Sequence, residues 1–119
     1  MVVDDEVEVV NSVVDYFQSQ GIKANGFTDP NSALKQIKNL KPDVVFLDIK
    51  MPELDGYQFC EKLMATPGLS GTPVIFVSGR ERSDDALTFL KNGGRLYVKK
   101  PFEMRELKEL AELAVGDSL

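Results

Sequence analysis

Asp4, Asp5, Asp48, Ser78 and Lys100 are the residues whose types and placing could do chemistry together. Each closes a short apolar run: Met1 to Val3, Val44 to Leu47, Val74 to Val77, and Leu96 to Val98 followed by Lys99-Lys100. Runs of this length and content read as strands, the central ones buried on both faces. If the strands lie parallel and side by side, their carboxyl ends share one rim, where open α/β sheets bind ligands. Three acids, one hydroxyl and one ammonium would then converge. Crowded carboxylates repel one another and raise one another's pKa values. A divalent cation relieves that repulsion; Mg2+ takes one or two carboxylates, keeps several waters and recruits phosphate oxygens. A lysine and a hydroxyl facing the metal would complete a pocket for a phosphoryl group. The plainer reading is a salt-bridged polar rim, in which Lys100 neutralises Asp48 and the acid pair caps the first helix. Several such residues on strand ends of one sheet favour the pocket.

The elements that must position them alternate. Glu6 to Gln20 has helical spacing, with Val10, Val13, Val14 and Phe17 on one face and Val7 a turn earlier. Gly21 suits the position after its end. Ile22 to Phe27 reads as a short strand near a sheet edge. Asp29-Pro30 starts a second helix as N-cap and first residue, with Ala33, Leu34, Ile37 and Leu40 inward and Pro42 as the stop. Asp55-Gly56 opens a third helix that turns Phe59, Cys60, Leu63 and Met64 inward. Ala65 to Pro73 is turn-rich. A fourth helix is expected from about Asp84 to Asn92, capped by Gly93-Gly94, and a last one from about Met104 to Val115. Strand and helix alternate five times with short connections, which implies a parallel sheet covered by helices on both faces.

The bulk numbers agree. With 119 residues, 43% of them hydrophobic and 28% charged, the chain fits one soluble domain. A net charge of −5 without a basic cluster argues against direct binding of nucleic acid. No apolar run approaches the ~20 residues that span a bilayer. The single cysteine, Cys60, forms no internal disulfide and reads as a small core hydrophobe. Histidine is absent, so carboxylates, hydroxyls and lysines are left to do any chemistry.

Four motifs resemble the receiver domain of bacterial two-component response regulators. They are Val-Val-Asp-Asp-Glu at the start, Leu-Asp-Ile-Lys-Met-Pro-Glu-Leu-Asp-Gly in the middle, Val-Ile-Phe-Val-Ser-Gly in the fourth strand, and Tyr-Val-Lys-Lys-Pro-Phe near the end. The resemblance covers essentially residues 1–119. It implies a flavodoxin-like (βα)5 fold with strand order 2-1-3-4-5. It also implies that Asp48 is the phosphoacceptor, that Asp5 binds Mg2+ directly and Asp4 largely through water, and that the backbone carbonyl of Lys50 is a further ligand. Ser78 resembles the switch hydroxyl, Tyr97 the switch aromatic, and Lys100 the phosphate-pairing lysine, with a cis bond before Pro101. The implied partners are a sensor histidine kinase or phosphotransfer protein, a covalently attached output domain outside this chain, and a second copy through the face of the fourth helix, fifth strand and fifth helix. A cytoplasmic location is implied too, with no membrane contact. Lys50 and Arg80 occupy positions that tune phosphoryl lifetime in the family, and two bulky cations there are expected to lengthen it. Gly79 and Gly94 stand where the family often has Ala, and Glu103 where it often has a shorter cap. Two other functions compete: a receiver-like interaction module regulated by binding alone, and an aspartate-nucleophile phosphohydrolase. The second expects Asp-x-Asp on the first strand, whereas Lys50 lies two residues after Asp48 on the third.

Overall fold

Val2–Val3 (β1), Gly26–Phe27 (β2), Val45–Asp48 (β3), Val74–Ser78 (β4) and Gly94–Lys99 (β5) form one parallel sheet in the order β2-β1-β3-β4-β5. This is a computed structural model, and it describes residues 1–49, 51, 54, 56–78 and 94–116, with the backbone alone for Ser78, Gly94 and Arg95. The helices among the described residues are α1 (Val7–Ser19), α2 (Pro30–Leu40), α3 (Gly56–Met64) and α4 (Met104–Gly116). The helix expected over Asp84–Asn92 lies outside the described residues, as do Lys50, Asp55, Gly79, Arg80 and Gly93.

Side-chain alternation along the strands builds two cores. On one face Val3, Val45, Leu47, Val74 and Phe76 meet Ala33 and Ile37 of α2 and Phe59, Cys60 and Leu63 of α3. On the other, Val2, Phe46, Ile75, Val77 and Val98 meet Val10, Val13 and Phe17 of α1 and Leu107, Ala111 and Ala114 of α4. Strands buried on both faces need unbroken apolar runs, which is why the central segments lack polar residues until their last position. Cys60 is fully buried, in line with its reading as a core residue.

Local chemistry sets the boundaries. Asp29 caps α2: its side chain accepts from the Asn31 N–H at 3.1 Å and the Ser32 hydroxyl at 2.9 Å, and Pro30 follows as the first helical residue. Lys41, at φ 46°, ends α2 in the left-handed region just before Pro42. Gly21, at φ 75°, does the same after α1.

Three expectations need correction. Val7 is 56% exposed rather than on the apolar face of α1: it is the first residue of the helix, one turn before the first buried position, Val10. The second strand is only Gly26–Phe27, not Ile22–Phe27, because a strand exists only where a partner lies alongside and β1 offers two residues. Gly94 belongs to β5, paired with Val74, rather than to a helix cap.

Two glycines are dictated by close approach. A Cβ on Gly26 would lie 2.4 Å from Val10 Cγ1, so the bare backbone lets α1 settle onto β2. A Cβ on Gly56 would lie 2.7 Å from the Asp48 carbonyl oxygen, and the Gly56 N–H donates to the Ile49 carbonyl at 2.8 Å. The start of α3 is thereby seated on the backbone of Asp48.

Candidate functional site

The sheet register brings distant residues to one rim. Val3 of β1 lies beside Leu47 of β3, so Asp4 and Asp48 are the next residues along two adjacent strands. Val77 pairs with Asp48 and Ser78 with Lys99, which places the ends of β4 and β5 on the same edge and Lys100 one residue further on. The Lys100–Pro101 bond that leads the chain away is cis.

Asp4 and Asp48 are buried, at 2% and 6% exposure, at the rim of an apolar sheet. Buried carboxylates require partners. Asp4 has two: the Glu6 N–H donates to its Oδ1 at 2.9 Å, and the Lys100 ammonium to its Oδ2 at 2.8 Å. Lys100 Nζ also stands 3.3 Å from Glu6 Oε1 and 3.8 Å from Asp48 Oδ2. Oxygens of Asp4, Asp5 and Glu6 lie within 4.8 Å of one another.

The electrostatics follow from this crowding. Burial, then the negative charge of Asp4, pushes the Asp48 carboxyl up to about 7, with Asp5 adding to the rise and Lys100 opposing it. For Lys100, burial disfavours the charge, but the hydrogen bonds to Asp4 and Glu6 and the charges of Asp48 and Asp4 outweigh it and hold the ammonium above its usual range. The pocket thus has more negative than positive charge among the described side chains, and its donors are oxygens. That set suits a hard divalent cation such as Mg2+.

Asp4, Asp5, Asp48 and Lys100 are therefore brought together as their sequence positions suggested. Ser78 ends β4 at this rim, its side chain outside the described atoms, and Lys50 lies outside the described residues. Tyr97 is half-buried on β5, opposite Phe76 and packed against the core on the α2–α3 side. Sequence reasoning missed Glu6 as part of the site. The signal was its place directly after two acids; its partner lies 94 residues away. A cavity of about 450 Å³ at the opposite rim, walled by Val13, Phe17, Ala24, Val44 and Ala111 among others, holds none of these residues.

The sequence model of the response regulator receiver domain matches residues 1–112. The chain belongs to this family. Among curated proteins, this receiver domain is 33% identical over 121 residues to the transcriptional regulatory protein YxdJ of Bacillus subtilis, covering 98% of the chain and 52% of the relative. The chain spans about half the length of the curated relatives it matches. Among solved structures, the receiver domain of NtrX from Brucella abortus superposes with a TM-score of 0.85 at 30% identity, covering 97% of this chain and 96% of that one. The chemotaxis protein CheY4 of Vibrio cholerae shares the fold, with a TM-score of 0.90 at 20% identity over 95% of this receiver and 94% of that chain. Among the described residues, no helix is long and apolar enough to cross a membrane.

Proposed function

We propose that this receiver domain, taken as one unit over residues 1–119, accepts a phosphoryl group on Asp48 from a sensor histidine kinase or phosphotransfer protein. The observation that supports this most directly is the buried Asp48 carboxylate, raised by burial and by its acidic neighbours, with the Lys100 ammonium 3.8 Å away. Asp48 Oδ attacks phosphorus, a new O–P bond forms, and the donor's bond to phosphorus breaks, with its electron pair leaving on the imidazole or carboxylate. Little covalent work falls to other groups, so positioning and charge dominate. Lys100 pairs with the transferred oxygens. Asp5, Asp4, Asp48 and the Lys50 carbonyl would hold Mg2+, which supplies neutralising charge to the acids and the incoming phosphoryl group. Later hydrolysis of the acyl phosphate returns Asp48 to a free carboxylate.

Ser78 then bonds the phosphoryl group and Tyr97 turns inward. Charge-assisted hydrogen bonds are worth about 1.5–3 kcal/mol each. Two of them approach the ~5.5 kcal/mol that inverts a 1:99 population. The change is read on the face of β5 and α4, by a second copy or by an attached output domain. The length of the relatives, one of them described as a transcriptional regulatory protein, supports an output domain outside this chain.

The test is incubation with Mg2+ and acetyl phosphate, followed by intact mass. A hydroxylamine-labile phosphoryl adduct that Asp48→Asn abolishes is expected. No adduct would leave a module regulated by binding alone, and steady phosphate release from many monoesters would mean a phosphohydrolase.

A further inference from the structure

Lys100 reaches three carboxylates unequally. Its Nζ hydrogen-bonds Asp4 at 2.8 Å and Glu6 at 3.3 Å, whereas Asp48 stands at 3.8 Å, an ion-pair separation too long for a hydrogen bond. The lysine therefore leans to the β1 side of the pocket, hydrogen-bonded to Asp4 and Glu6 and only ion-paired with Asp48. Glu6 is held there by the same acid, since its N–H donates to Asp4 Oδ1 at 2.9 Å while Asp4 Oδ2 takes the lysine. Although Glu6 precedes α1, its side chain makes no capping hydrogen bond; it turns to Lys100 instead.

We propose that Glu6 is a positioning residue: with Asp4, it holds the Lys100 ammonium off Asp48 until a phosphoryl group arrives. This rests on the reading of Asp48 as phosphoacceptor. To pair with the phosphoryl oxygens, the ammonium gives up Glu6. A firmer hold by Glu6 therefore slows phosphorylation, and a weaker one speeds it. The Glu6 side chain is 63% exposed, so its hold is modest. Exposed pairs correspond to a rate change of about two- to five-fold.

The experiment is a double-mutant cycle on the full chain, with rates from acetyl phosphate at saturating Mg2+ read by intact mass. Glu6→Gln is expected to raise the rate about two- to five-fold when Lys100 is present and to leave the Lys100→Ala rate unchanged. Glu6→Asp keeps the charge but is one methylene shorter, and is expected to follow Glu6→Gln. No rise, or an equal rise on both backgrounds, overturns the proposal; the second result would mean that Glu6 simply repels the anionic donor. Calorimetric titration with Mg2+ separates a metal-ligand role: a loss of affinity beyond about ten-fold in Glu6→Gln, the scale of a lost metal partner, also overturns it. One readout needs no reaction. In the metal-free protein, nuclear Overhauser contacts between Lys100 Hε and Glu6 Hγ protons are expected, and their absence refutes the hold. If the unsubstituted chain forms no adduct, the phosphoacceptor reading fails, while these contacts still decide whether Glu6 holds the lysine.

Discussion

Replacing Asp48 by Asn should stabilise the metal-free protein, and the gain should grow with pH. Asp48 is pushed from 3.8 to about 7 by burial and by Asp4. A rise of that size corresponds to about 4 kcal/mol between the two protonation states. The sign follows from proton linkage. The folded protein binds this proton more tightly than the unfolded chain, so the stabilisation is complete below pH 3.8 and is lost as pH rises through about 7. Above that, an ionised carboxylate opposes folding at full strength. Asn carries no such charge. Between pH 5 and pH 8 the stability difference, Asp48→Asn minus unsubstituted, should therefore grow by about 2–3 kcal/mol. The buried Met1 amine, pushed down to about 6, titrates in the same window but is common to both proteins and drops out of the difference. Urea unfolding in EDTA, followed by circular dichroism at several pH values, measures it. Saturating Mg2+ should shrink the gain, because the cation offsets the acids of the unsubstituted protein. A difference that is independent of pH, or larger at pH 5 than at pH 8, would refute the reasoning.

Three further outcomes are expected. Lys100→Ala leaves Asp4 and Asp48 without their shared cation; it should cost about 2–4 kcal/mol at pH 8 in urea unfolding and slow phosphoryl transfer from acetyl phosphate. Gly56→Ala puts a methyl group against the Asp48 carbonyl; it should cost about 1–3 kcal/mol and lower the rate of adduct formation. Asp29→Ala removes the cap of α2, far from the pocket; it should cost about 1 kcal/mol and leave the adduct rate unchanged.

What the sequence made legible was whatever local patterning encodes. Val45 to Leu47 announce a strand buried on both faces, and Asp48 marks its end. Asp29-Pro30 announces a helix start, and the hydrogen bonds from Asn31 and Ser32 complete it. Alternation of such segments leads to the parallel sheet. Three features were not legible in this way. Glu6 read as an acid at a helix start, and nothing near it points to Lys100. Val7 fits the apolar stripe of α1 by spacing, but it is the first residue of the helix, and the buried stripe begins a turn later at Val10. Ile22 to Ala24 have strand-like content, but β1 is too short to pair with them; its Val2 N–H reaches only as far as the Asn25 carbonyl.

The seating of Gly56 on the Asp48 backbone has a mechanical consequence. With no side chain between them, and a hydrogen bond tying them one residue away, the end of β3 and the head of α3 behave as a single lever arm. A displacement of the Asp48 main chain would therefore press directly on the head of α3.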